Sequence, residues 1–256
     1  MTTTLVDTHC HFDLFPDPRA VLAATERQGI YSIAVTNTPS VFPAMKMLTE
    51  GMKYVRPALG LHPELAIQRA AELPLFARYL AETRYVGEIG LDYKAAVKQE
   101  DRKEQRSIFA MILRSCADAG GRVLTVHSRR AEADVVAAIA DHAPGPFILH
   151  WYSGPLHIAR AALEAGAYFS FNPAMATSPR GHRLLSEIPR DRVLTESDGP
   201  FVRYEDTVAS PAAVSFVCRQ IANSWRVAAS DATALIRSNF RRLLESLPRA
   251  AAPWPE

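Results

Sequence analysis

RVLTVHSRRAEADVVAAIADHAPGPFILHWYSGPLHIARAALEAGAYFSF, residues 122–171, holds three apolar runs of strand length separated by two alanine-rich stretches of helical length. RVLTVH (122–127), PFILH (146–150) and AYFSF (167–171) are β-branched and aromatic, whereas AEADVVAAIADH and PLHIARAALEAG repeat apolar residues at helical spacing. Strands separated by whole helices are too far apart in sequence for hairpins. They pair in parallel.

Outward from this stretch the alternation continues in both directions. LVDTH (5–9), YSIAVT (31–36), YVRPALG (54–60) and YVGEIG (85–90) precede it, and RVLTES (192–197) follows, which makes eight strands. Helical stretches stand between them: DPRAVLAATERQG, PAMKMLTE, LPLFARYLAET, the long QEDRKEQRSIFAMILRSCADAG, and one around GHRLLSEI. Gly29, Gly51, Gly120 and Gly166 end helices where a left-handed C-cap is needed. Eight βα units in 256 residues predict an α/β fold, a single (β/α)8 TIM barrel over 1–248, with helices near 211–225 and 230–247 and a short Pro/Ala tail over 249–256. An open doubly wound sheet is the alternative. It carries a glycine-rich phosphate loop after its first strand, and THCHFD, at that place here, has no glycine.

At 48% apolar content the chain buries a large core, and no linker or repeat divides it. The start MTTTLVD lacks the basic and apolar regions of a signal peptide, and no apolar run approaches 18 residues, so a cytoplasmic protein with no membrane partner is expected. Cys10, Cys116 and Cys218 are odd in number and widely spaced, which excludes a disulfide framework. Cys10 alternates with two histidines and reads as a core residue on the opposite face. A net charge of +2 neither announces nor excludes a nucleic-acid partner, because a pocket needs only local positive charge.

Barrel chemistry sits at the C-terminal ends of the strands. There the sequence places His9 and His11, alternate residues that share a strand face, then His62, Glu88, His127, His150 and Asp198. Five of the eight histidines fall on this rim, and His142, His157 and His182 fall in or beside helices. A lone histidine at a strand end is more often a packed rim residue, but such a set has a metal cluster as its economical cause.

The segments VDTHCHFD, ALGLHPE, VGEIGLDY, the run Arg102, Gln105, Phe109, then TVHSR, HWYSG, LTESDGPF and SNFRRLL occur in one order across residues 6–244. In these the chain resembles the TatD family of metal-dependent deoxyribonucleases, within the amidohydrolase-type barrel hydrolases. Through VTNTPS, LPLF, AGGRVLTVHSRRA and PRDRVLTESDGPF it is most similar to QatD, the TatD-like member of Qat anti-phage defence cassettes. The resemblance implies metal ligands His9, His11, Glu88, His127, His150 and Asp198. Glu88 takes the bridging place that a carboxylated lysine holds in phosphotriesterase-like relatives, and Lys94, the nearest lysine, lies beyond the strand. TES-D for the commoner TET-D and HWYSG for HCFSG are departures that touch no ligand.

Two divalent cations (Mg, Mn or Zn) would account for every ligand, with His9, His11 and Asp198 around one, His127 and His150 around the other, and Glu88 between them. Asp198 is expected to take the proton of the attacking water, with Glu88 as the second catalytic residue. Arg129 is the first candidate to grip phosphate, whereas Arg130 and Arg102 read equally as solvated charges. His62 and Glu64 suit either substrate binding or a structural role. Phe12, Tyr93, Trp151, Tyr152 and Phe201 follow ligands closely, so each either stacks on a base or packs the rim, with Tyr93 and Trp151 the substrate candidates. DNA, as a single strand or a 3′ end, is the implied substrate of a 3′ to 5′ exonuclease, with other Qat defence proteins as implied partners. Hydrolysis of a small amide, lactone or ester, and a mainly structural place in a defence complex, stay open.

Overall fold

A computed structural model describes residues 4–247, so the Pro/Ala tail expected over 249–256 lies outside the described residues. One sheet of eight parallel strands runs in sequence order: β1 (Val6–Cys10), β2 (Tyr31–Ala34), β3 (Val55–Leu59), β4 (Tyr85–Gly90), β5 (Val123–His127), β6 (Phe147–Leu149), β7 (Tyr168–Phe171) and β8 (Val193–Thr195). Every residue of β1, β2, β4 and β7 is buried, as a parallel sheet covered by helices requires.

The last strand returns beside the first and closes a TIM barrel. Thr8 Oγ1 donates to the Thr195 carbonyl at 3.1 Å and Thr195 Oγ1 to the Val6 carbonyl at 2.5 Å. Above them the Asp198 N–H donates to the His9 carbonyl at 2.9 Å. The seam is therefore tied by threonine hydroxyls and one backbone bond.

Helices start and stop on local signals. Pro18–Gln28 opens with Asp17 accepting from the Ala20 N–H at 3.0 Å and ends on Gly29 at φ +64°, the C-cap its sequence predicts. Gln99–Asp118, the longest, buries Ile108, Phe109, Ile112 and Leu113 against the barrel wall. Each such side chain contributes about 1.5–3 kcal/mol by leaving water. Ala229–Glu245 closes the wall beside β8 and β1, burying Ile236, Phe240 and Leu243. Among the described residues no helix is long and apolar enough to cross a membrane.

Two ladder irregularities position the site. β1 and β2 lose register between Asp7 and Cys10, and β4 and β5 lose it between Val86 and Ile89. The unpaired stretches contain His9 and Glu88. A bulge re-aims the side chain it carries, and here both turn to the barrel mouth. Gly90, just beyond, sits at φ +139°, where a Cβ would lie 2.0 Å from the His127 carbonyl oxygen. Only glycine lets β4 and β5 approach this closely.

Candidate metal centre

β1 delivers His9 and His11, and β4 delivers Glu88, between them and the ends of β5 and β6. Glu88 Oε2 lies 3.4 Å from His9 Nε2 and 3.2 Å from His11 Nε2, while Asp198 Oδ1 lies 3.8 and 3.7 Å from the same two nitrogens. Its other oxygen, Oε1, lies 2.7 Å from His127 Nδ1 and 2.9 Å from His150 Nε2. One carboxylate thus faces two groups of donors, one with each oxygen.

The spacing tests whether cations fit. A tetrahedral ion with nitrogen ligands at about 2.0–2.1 Å has neighbouring donors about 3.3–3.4 Å apart. His9 Nε2 and His11 Nε2 are 3.2 Å apart, and His127 Nδ1 and His150 Nε2 are 3.4 Å apart. Buried imidazole and carboxylate donors at these distances are a fitting set. His9, His11 and Asp198 form one candidate group, His9, Glu88 and His150 another, and His62, Glu88 and His127 a third.

The third group is separated by its protons. His62 caps the short helix Pro63–Ala66, its Nδ1 accepting the Glu64 N–H at 3.1 Å. A neutral imidazole that accepts at Nδ1 carries its hydrogen on Nε2. His62 Nε2, 3.3 Å from Glu88 Oε1, therefore offers a proton rather than a lone pair. For His9 the arrangement is reversed: Nδ1 lies 2.7 Å from Thr125 Oγ1, which as acceptor leaves Nε2 bare toward the site.

Burial raises the Glu88 carboxyl, but His62, His150 and His9, with a hydrogen bond from His11, outweigh it and hold the group well below the usual carboxylate range. Burial and the neighbouring His150 hold His9 well below the usual imidazole range. For His150 burial is outweighed by Glu88 and Glu196, which raise it well above that range. Burial lifts Asp198 well above the carboxylate range, and Glu196 and Glu88 add to the lift against the pull of His150. Asp198 also holds a left-handed φ of +47°, a strain that recurs at functional sites. Three buried carboxylates so close repel one another, and bound cations reverse that repulsion.

A cavity of about 400 Å³ opens above, lined among others by His62, Glu64, Arg129, Trp151, Ser153 and Phe201. Trp151 and Phe201 present apolar faces there, at 39% and 58% exposure, whereas Phe12 and Tyr152 are buried in the packing. Tyr93 does not reach the cavity lining: its hydroxyl donates to Asp134 and accepts from Arg106 Nη1 at 2.9 Å. Three polar residues escaped the sequence reading. Asp92 Oδ2 meets His127 Nε2, Glu196 Oε1 lies 3.7 Å from His150 Nδ1, and Asp7 accepts from the Ser197 N–H and hydroxyl. Their signal was position alone: two residues after Gly90, two before Asp198 and two before His9.

A closed parallel barrel with clustered imidazoles and carboxylates at the C-terminal ends of its strands defines a metal-dependent hydrolase. The chain belongs to the TatD family, whose TatD related DNase model matches residues 6–245. It is 25% identical to the human deoxyribonuclease TATDN3, over 95% of each chain. It is 26% identical to YabD of Bacillus subtilis, an uncharacterized metal-dependent hydrolase, over 93% of this chain and 98% of that one. In fold it matches the crystal structure of the Escherichia coli TatD homolog YJJV with a TM-score of 0.82, at 23% identity, over 95% of this chain and 98% of that one.

Proposed function

We propose that the protein is a DNA exonuclease that hydrolyses phosphodiesters with two divalent cations. The observation that carries this reading is the division of Glu88, one oxygen toward His9 and His11 and the other toward His127 and His150. His9, His11 and Asp198 would hold one cation, His127 and His150 the other, with Glu88 shared. Divalent cations bound there supply Lewis acidity, which lowers the pKa of water toward neutrality and offsets phosphate charge.

The chain's own residues do the rest. Asp198 Oδ1 orients the attacking water and takes its proton. His62 Nε2–H and the Arg129 guanidinium donate to the phosphate oxygens. Trp151 and Phe201, exposed on the cavity lining, offer faces on which a terminal base stacks, worth about 1–3 kcal/mol per base. A cavity at a barrel mouth takes a chain end more readily than the interior of a duplex, which supports the exonuclease reading. The 3′ to 5′ polarity rests on the family resemblance. So does the narrower likeness to QatD, in which the enzyme works in the cytoplasm beside other Qat defence proteins.

The test is one assay on end-labelled single-stranded DNA with Mg²⁺, Mn²⁺ or Zn²⁺, beside His127→Ala. Cleavage that needs metal, vanishes in the variant and stops when the 3′ end is blocked is the expected result. Equal cleavage by both proteins, or cleavage in excess chelator, overturns the mechanism. Cleavage of small esters but not of DNA favours the small-substrate alternative.

A further inference from the structure

Beside the central cavity lies a second cleft of about 370 Å³. Arg129 and Ser153 line both, so the two spaces are continuous along the rim. Three loops and one helix build it. Lys94 follows β4, Arg129 and Arg130 follow β5, Ser153 follows β6, and Arg180 comes from the helix Pro179–Glu187. Arg130 holds a left-handed φ of +58°. Arg180 Nη2 donates to the Gly154 carbonyl at 3.3 Å, which ties its guanidinium to the cleft wall.

The cleft carries four cations and one carboxylate, Glu132. Elsewhere the chain pairs its exposed cations: Lys46 with Glu82 at 2.7 Å, Arg69 with Glu72 at 3.2 Å, Arg106 with Asp134 at 3.3 Å and Arg160 with Glu187 at 2.7 Å. Lys94, Arg129, Arg130 and Arg180 have no carboxylate within 4.0 Å among the described residues. Grouped like charges without partners focus a positive field in a concave space and attract an anion. The chain's net charge of +2 is too small to explain such a grouping as a general excess.

We propose that this cleft binds a phosphodiester of the uncleaved strand, next to the one being hydrolysed. The inference rests on the phosphodiester reading above and adds the route by which the polymer leaves the site, over Arg129 and between Arg130 and Arg180. A substrate with a single phosphate does not reach this cleft. A strand does, and is held by it.

The experiment measures binding, so that it does not depend on turnover. Fluorescence anisotropy with a labelled, phosphorothioate-linked octathymidylate, which resists cleavage, gives Kd across a salt series for the protein as purified. Two double variants are compared: Arg130→Gln with Arg180→Gln in the cleft, and Arg241→Gln with Arg242→Gln on the outer wall, with thermal melts to check folding. The cleft variant is expected to bind about tenfold more weakly at low salt, and its log–log salt slope to fall by about 1.4, since each phosphate contact on a single strand contributes about 0.7. The outer-wall variant keeps the parent Kd within about twofold. Equal Kd and slope in the cleft variant, an equal loss in the outer-wall variant, or no binding by the parent protein each overturns the proposal. A strand that binds through the cleft but is never cut leaves the cleft standing and removes the nuclease reading. A strand that is cut while the cleft variant binds normally does the opposite.

Discussion

Asp92 Oδ2 lies 2.8 Å from Nε2 of His127, on the other side of the ring from Glu88. Asp92 is itself fixed, its Oδ1 accepting the N–H groups of Lys94 and Ala95 at 2.8 Å each. Burial pushes its carboxyl up, but the His127 hydrogen bond and the Ala95 N–H outweigh this and hold it below its ordinary range. A carboxylate on Nε2 keeps the hydrogen there and leaves Nδ1 free to face the site.

Asp92→Asn therefore weakens metal binding more than it weakens the fold. Loss of such a partner costs about 10–100-fold in metal affinity. Titration of the apo protein with Mn²⁺ or Zn²⁺ measures it, and activity returns at saturating metal. A variant with parental affinity removes the role given to Asp92.

Glu196 has the opposite profile. Fully buried, it accepts from the Ser170 hydroxyl, the Asn172 amide at 3.1 Å and the Trp151 N–H at 3.0 Å. Glu196→Ala leaves these donors without an acceptor and lowers stability by about 3–5 kcal/mol, the usual cost of breaking a buried charged network. Urea unfolding in chelator isolates this from metal binding. Glu196→Gln, which keeps the shape, loses less than half as much.

Metal removal destabilises the whole barrel. If both cations are present at about 1,000 times Kd, linkage contributes about 4 kcal/mol per site, and each kcal/mol moves Tm by about 2–4 °C at this size. Chelation is expected to lower Tm by at least 8 °C, roughly the effect of one site. Re-addition of metal restores it. A chelated protein melting at the parent temperature is the contrary result.

A second polar pair, away from the site, sets the alkaline limit. Tyr31 Oη and Tyr85 Oη share a 2.6 Å hydrogen bond inside the barrel. Burial raises both phenols above their ordinary range, Tyr85 well above it, where Tyr31 adds to the lift. A raised phenol pKa means that the folded protein retains protons which the unfolded chain releases. This contribution is complete below about pH 10 and is lost as pH rises through the folded pKa values, at up to about 1.4 kcal/mol per pH unit and group. The fall in urea midpoint above pH 10 is expected to be shallower in Tyr31→Phe/Tyr85→Phe. An unchanged slope refutes the assignment.

All eight strands are legible in the sequence because each is buried on both faces, so PFILH or YVGEIG stands out as an unbroken apolar run. The hairpin of Arg203–Tyr204 and Thr207–Val208 is not legible. Strands of two residues have no periodicity, and its turn residues Glu205 and Asp206 take left-handed φ values of +47° and +61° without a glycine to announce them. His9, His11, Glu88, His127, His150 and Asp198 stand out by position at strand exits. Asp92 and Glu196 do not, because burial and partner are not written in a lone carboxylate. Tyr93 is the instructive difference: Asp92 turns inward to His127, so its neighbour turns outward to Asp134 and Arg106.

The seam between first and last strands also governs when the protein becomes dangerous. His9 emerges from the ribosome near the start of synthesis, but Asp198 and the threonine of β8 that ties the seam follow only after most of the chain. Until then the donor set is incomplete and the barrel is open. A nascent chain therefore carries no working hydrolase past the nucleic acid on which it is made.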